Sequence, residues 1–205
     1  MQLNDFDWGM YLSSRGSLFK KMTGMQIKQV IEGSLKCAEE QFEKFRSTDL
    51  LDFAKAETIR IQEDDSPVQE AYLQLAFYKP KPPLIQISTK AIERIKDVII
   101  EEQLSSLLGE VDLRRLVIAH EMFHHIESKE PEIFTQKPNV ELKRFGRFRY
   151  RTRVTAASEM AAVHFSKLKL GLDYNPAVIE ILLTYSVDQQ RARAIMGQLI
   201  GEKWG

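Results

Sequence analysis

Cysteine is almost absent from this sequence: Cys37 is the only one in 205 residues. No disulfide can close within the chain, so an apolar core must hold it, and an apolar content of 43% suffices for one. Excess charge is missing too, with 29 Lys plus Arg against 29 Asp plus Glu. No overall field draws the protein to nucleic acid or to an anionic bilayer, and direct nucleic-acid binding is not expected. Long apolar runs are also lacking. The longest, near residues 116–119 and 181–183, fall far short of the roughly 18 needed to cross a bilayer. Residues 1–20 are interrupted by Asn4, Asp5, Asp7, Ser13, Ser14 and Arg15, which leaves no export-type apolar segment. These absences lead to the expectation of a cytoplasmic protein with no membrane partner, and no internal repeat or low-complexity tract is visible.

What is present reads as mixed α and β structure. Ile27, Val30, Ile31, Leu35, Ala38, Phe42 and Phe45 recur at helical spacing and predict an amphipathic helix over residues 25–45. Three β-leaning runs follow, at 58–62, 71–78 and 84–88, separated by Asp64-Asp65-Ser66-Pro67 and by Lys79-Pro80-Lys81-Pro82-Pro83. Ser88 or Thr89 caps a further helix that runs to about Leu104, Gly109 breaks the chain, and Asp112 opens another helix that Pro131 ends. Residues 147–153 alternate arginine with Phe148, Tyr150 and Thr152, as a two-faced strand does. A helix over 155–169 closes at Gly171, and Asn175-Pro176 starts a final one through about Ile200.

The chemistry concentrates where histidine, otherwise scarce, occurs as His120-Glu121-Met122-Phe123-His124. Residues four apart on a helix emerge about 40° from one another and one turn apart, so the two imidazoles can share one metal ion. Glu121 is rotated by about 100° from His120, beside such an ion rather than among its ligands, where a general base for a bound water belongs. A catalytic zinc takes three protein ligands and keeps one position open. Glu127 lies roughly 10 Å along the axis from His120, too far to share the ion with both histidines. His125 points about 140° away from His120 and reads as a cation near the helix C-terminus. A second helix must therefore supply the third ligand. Glu159 is the sole acid among the small and apolar residues of 154–165, and it is the first choice. His164, rotated about 140° from Glu159, is the alternative, or a histidine that orients a ligand.

His120-Glu121-x-x-His124 followed by Glu159-x-x-Ala162-x-x-Phe165 resembles the gluzincin metallopeptidases, and the short second motif is similar to the ImmA/IrrE-type peptidases, which cleave helix-turn-helix repressors. The run 83–88 and the helix after it are similar to the edge strand and first helix of a minimal zincin. Val163 stands where these families often carry Asn or Asp, so the group that orients a ligand is unassigned.

The resemblance implies an α+β fold of the minimal zincin type: a small sheet packed on the motif helix and on the glutamate-bearing helix, with further helices flanking. Residues 1–205 would be one domain, with a helical region of unassigned role at 1–65 and the zincin-like catalytic core at 66–205. It implies one Zn²⁺ on His120, His124 and Glu159, and an intracellular zinc-dependent endopeptidase in which Glu121 is general base to a metal-activated water attacking a peptide carbonyl. Tyr150, Tyr174, Tyr185 or His164 would donate to the developing oxyanion. The edge strand at 84–88 would pair with an extended substrate, and Arg147, Arg149, Arg151 and Arg153 would contact it. The partner would be a protein or peptide, a DNA-binding repressor among them. A non-catalytic zinc-binding regulatory module is the rival reading; a deformylase-type amidohydrolase lacks support, since Cys37 stands outside any such motif.

Overall fold

The computed structural model describes residues 3–68, 73–110, 112–145 and 148–201. The chain mixes helices with small sheets, an α+β arrangement. It opens with α1 (Asp5–Ser14), where Asn4 and Asp7 cap each other's backbone N–H. The long α2 (Gly24–Phe45) starts from a second such box, Thr23 with Gln26, and buries the stripe Ile27, Val30, Ile31, Ser34, Cys37, Ala38 and Gln41. A short α3 (Leu50–Ala56) begins at Asp49, whose side chain accepts from the Leu51 N–H.

Strands β1 (Arg60–Asp64), β2 (Ala76–Pro80) and β3 (Pro83–Ser88) make one sheet in the order β1-β3-β2, with β1 parallel and β2 antiparallel to β3. This corrects the expectation of an edge strand at 84–88. Both sides of β3 are occupied, so no substrate strand can add there. Leu84, Ile85 and Ile87 are buried, as suits a strand covered on both faces. The edges are β1 and β2, neither of which has a second strand partner among the described residues. Part of the expected run 71–78 lies outside the described residues. Strand β1 falls within the expected helical region 1–65 and pairs with β3 of the region after it.

Helix α4 (Thr89–Glu101) is capped by Ser88 and stops short of Leu104, because Gln103 takes a positive φ of 55°. A single turn α5 (Ser105–Leu108) ends at Gly109, φ 67°, before Asp112 caps the motif helix α6 (Leu113–Lys129). Strands β4 (Val140–Phe145) and β5 (Phe148–Thr152) form a hairpin, in accord with the strand pattern of the arginine run. Helix α7 (Ala156–Leu170) ends at Gly171, whose φ of 63° and ψ of 40° are left-handed. The expected single last helix is two, α8 (Ala177–Tyr185) and α9 (Gln189–Gly201). Asp188 accepts from the Arg191 N–H and starts the second, which accounts for the break.

Helix α7 lies between α2 and α6. Ala157, Ala161 and Ala162 are fully buried in it, and side chains this small let α6 approach closely, with Phe123 and Phe165 tilted against each other at 5.7 Å between ring centres. α1 is tied down at its start: Asp5 accepts from Lys167 Nζ at 2.7 and 2.8 Å and from Asn175 Nδ2 at 2.9 Å. Burial pushes the Asp5 carboxyl up, but Lys167 and Asn175 outweigh it and hold its pKa below the ordinary value. A lowered folded-state pKa stabilises above the unfolded value and is lost as pH falls through the folded one. Asp5→Ala is therefore expected to cost about 2 kcal/mol in denaturant titrations at pH 7, and less as the pH drops below about 4. An equal loss at pH 7 and pH 3 would show that the charge contributes nothing.

Candidate metal centre

Consecutive turns of α6 present His120 and His124 to the first turn of α7, where Glu159 stands in the favourable field of a helix N-terminus. The two Nε2 atoms are 3.1 Å apart. Glu159 Oε2 is 3.5 Å from His120 Nε2, and its Oε1 is 3.6 Å from His124 Nε2. One ligand atom from each residue lies within 4.8 Å of the others. Ligands at about 2.0–2.1 Å in a tetrahedron stand about 3.3 Å from one another, close to the separation of the two Nε2 atoms and to that of each from its nearer Glu159 oxygen. The donor set therefore fits a small divalent cation of the zinc kind.

Charge supports the fit. Burial works against a proton on His120, yet Glu159 and Glu121 outweigh it and lift the imidazole to about 9. Burial likewise raises Glu159, while His120, His124 and Arg15 bring it down to about 2. Two imidazole nitrogens 3.1 Å apart beside a carboxylate direct three lone pairs into one space, which calls for a positive charge shared by three donors. A metal ion meets that demand with all three lone pairs.

Glu121 is 6% exposed and lies on the wall of a cavity of about 510 Å³ beside the cluster. Burial pushes its carboxyl up, and His120 and His124 oppose the shift. A carboxylate with a raised pKa is suited to accept a proton near neutral pH.

No family model, curated protein or solved structure matches the chain. Glu127 is not a fourth ligand; it faces the far side of His124, with Oε1 at 3.0 Å from Nδ1. Ser158 donates to the same carboxylate at 2.5 Å and Thr135 to its other oxygen at 2.8 Å. An N–H held on Nδ1 leaves the Nε2 lone pair facing the cluster. Glu127 is thus the group that orients His124, and its signal was the i, i+3 relation to that histidine on one helix face. Glu127→Ala is expected to weaken zinc binding about 10- to 100-fold with the fold retained, measured by competition with a chromophoric chelator. Unchanged affinity would show that the carboxylate only serves packing.

Other expectations are corrected. His125 is no exposed cation: it is 1% exposed, with Nδ1 at 2.8 Å from Tyr78 Oη and Nε2 at 3.2 Å from Glu57, and burial lowers its pKa. His164 neither joins the cluster nor orients it, since it faces α1 and α2, 3.6 Å from Asp5 and 3.6 Å from Glu39. None of the three tyrosines lines the cavity. Tyr150 is exposed on β5, and Tyr185 donates to Glu102. The Tyr174 hydroxyl is buried without a partner, which pushes it to about 12. Arg147 lies outside the described residues, while Arg149 and Arg151 turn to Glu141, at 3.9 and 3.7 Å. Of the three arginines among the described residues, Arg153 alone reaches the cavity wall. Arg15, at the end of α1, pairs with the cavity residue Glu180 and helps hold Glu159 ionised. A pair 165 positions apart leaves no local pattern to read.

Proposed function

We propose that the chain is a zinc-dependent endopeptidase, with His120, His124 and Glu159 holding Zn²⁺ and Glu121 as general base. The observation that carries this reading is the near-tetrahedral spacing of three donors whose open side faces a cavity lined by a buried carboxylate. When bound, Zn²⁺ supplies acidification of a water and polarisation of a carbonyl. The chain's own residues do the rest. Glu121 receives the proton of the attacking water and returns it to the leaving amine. Glu127 keeps the His124 lone pair aimed at the ion, and α6 and α7 keep the donors apart by the right amount. The outer edge of β2, which has no strand partner among the described residues, lies along the same cavity through Ala76, Phe77 and Tyr78, and offers main-chain groups beside the Tyr78 N–H that Glu121 engages to an extended peptide.

The similarity to ImmA/IrrE-type peptidases supports a protein substrate of the DNA-binding repressor class, and an intracellular setting goes with it. Among the described residues no helix is long and apolar enough to cross a membrane. A purely structural zinc usually has a fourth Cys or His and needs no base, so the intact Glu121 favours turnover over a regulatory module. The test is to load the protein with one equivalent of zinc and follow cleavage of unfolded proteins, peptides and repressors by mass spectrometry. Cleavage that a chelator stops and zinc restores is expected; full zinc occupancy with no cleavage of any of them would favour the regulatory module.

A further inference from the structure

The cavity is a groove along α6 with unlike ends. Leu116 and Ser128 both line it, and at 1.5 Å per residue they are about 18 Å apart on the helix, with the histidines between them. The Leu116 end is apolar, with Val117, Ile179 and Leu183, and its one acid, Glu180, is already paired with Arg15. The Ser128 end is polar, and there the turn carrying Thr135 and Gln136 meets the residue that follows β5. That residue is Arg153.

Every carboxylate on the groove has a partner. Glu121 faces the histidines, Glu159 completes the donor set, Glu127 holds His124, and Glu180 holds Arg15. Arg153 has no such counterpart. Its guanidinium donates to the neutral side chain of Gln136, and among the described residues it makes no ion pair. Its neighbours in the arginine run differ, since both turn to Glu141. The main chain beside it is pinned, with the Val154 N–H donating to Asn139 Oδ1 at 2.9 Å and the Asn139 N–H to the Thr152 carbonyl at 3.1 Å. An exposed guanidinium at a groove wall, carried on a pinned stretch of main chain and without an ion pair among the described residues, suits a planar anion.

We propose that Arg153 sets the specificity of the groove by binding a carboxylate of the substrate chain, while the apolar end takes an apolar side chain on the other side of the cut. This rests on the peptidase reading above. His124 and Ser128 are about 6 Å apart along the helix, and an extended chain advances about 3.3 Å per residue, so the acidic residue lies two to three positions from the bond that is cut. The carboxylate comes from an internal Asp or Glu or from a free C-terminus, and the two sources are separable.

The experiment uses the zinc-loaded full chain and a library of peptides that vary the acidic position, each as the C-terminal acid and as the amide, with cuts mapped by mass spectrometry. For wild type, Asp or Glu two to three positions from the cut is expected to raise kcat/KM about tenfold over Gln or Asn. Arg153→Lys should keep the preference, Arg153→Gln should remove it, and Arg153→Glu should invert it toward Lys and Arg, all at unchanged zinc content. A preference shown only by the free acids would assign the carboxylate to the chain terminus. Cuts that go on with the same residue preferences in wild type and in Arg153→Glu would overturn the proposal and leave the peptidase standing. Absence of any cut at full zinc occupancy would overturn both.

Discussion

Glu121→Gln is expected to retain one zinc per chain and a native circular dichroism spectrum while losing about 10²- to 10⁴-fold in turnover. The substitution keeps the shape and removes what is, among the described residues, the only buried carboxylate on the cavity wall that neither belongs to the donor set nor is engaged in orienting it. The amide cannot accept the proton of an attacking water, so the loss falls on kcat, with KM little changed. Two outcomes count against the assignment. A variant that loses zinc would show that Glu121 helps hold the ion, and a variant that cuts as fast as wild type would place the base elsewhere.

The second large effect is on the metal. Glu159→Ala removes one of three donors, and the only anionic one, from a site whose two histidines otherwise stand 3.1 Å apart. Zinc affinity is expected to fall by more than the roughly 100-fold that loss of an outer orienting partner causes, and so by more than in Glu127→Ala. Chelator competition on both variants, side by side, ranks them. A smaller loss at Glu159 than at Glu127 would mean that the third donor has been misassigned. Glu159→Ala should remain folded, because Glu159 is half exposed and the small residues that seat α7 are untouched.

The legible part of this molecule was the part written at helical spacing. His120 and His124 declare their common face by being four residues apart, and Glu159 stands out because the helix around it is otherwise alanine and apolar residues. The rotation of His164 away from Glu159 was legible as well, and it lies on the opposite, α1- and α2-facing side of α7. The tyrosines were a different matter. Residue type alone suggested them, and no periodicity told where their hydroxyls would point. Strand order was hidden because alternation marks a strand without saying which strand lies beside it. The compact apolar run of β3 was the available hint that it would be central. Glu127 was asked only whether it could reach the metal, when a helical i, i+3 neighbour of a histidine can instead hold the ring's other nitrogen. Contacts such as Arg15 with Glu180, or Thr135 with Glu127, depend on tertiary packing and carry no sequence pattern.

X-ray absorption at the zinc edge, on protein loaded with one equivalent and dialysed against buffer, tests the central claim most directly. The account predicts that zinc is retained and four-coordinate, with two imidazoles and two oxygens at about 2.0–2.1 Å, one oxygen belonging to Glu159 and lost in Glu159→Ala. Zinc that dialyses away, or a six-oxygen shell without imidazole scattering, would contradict it.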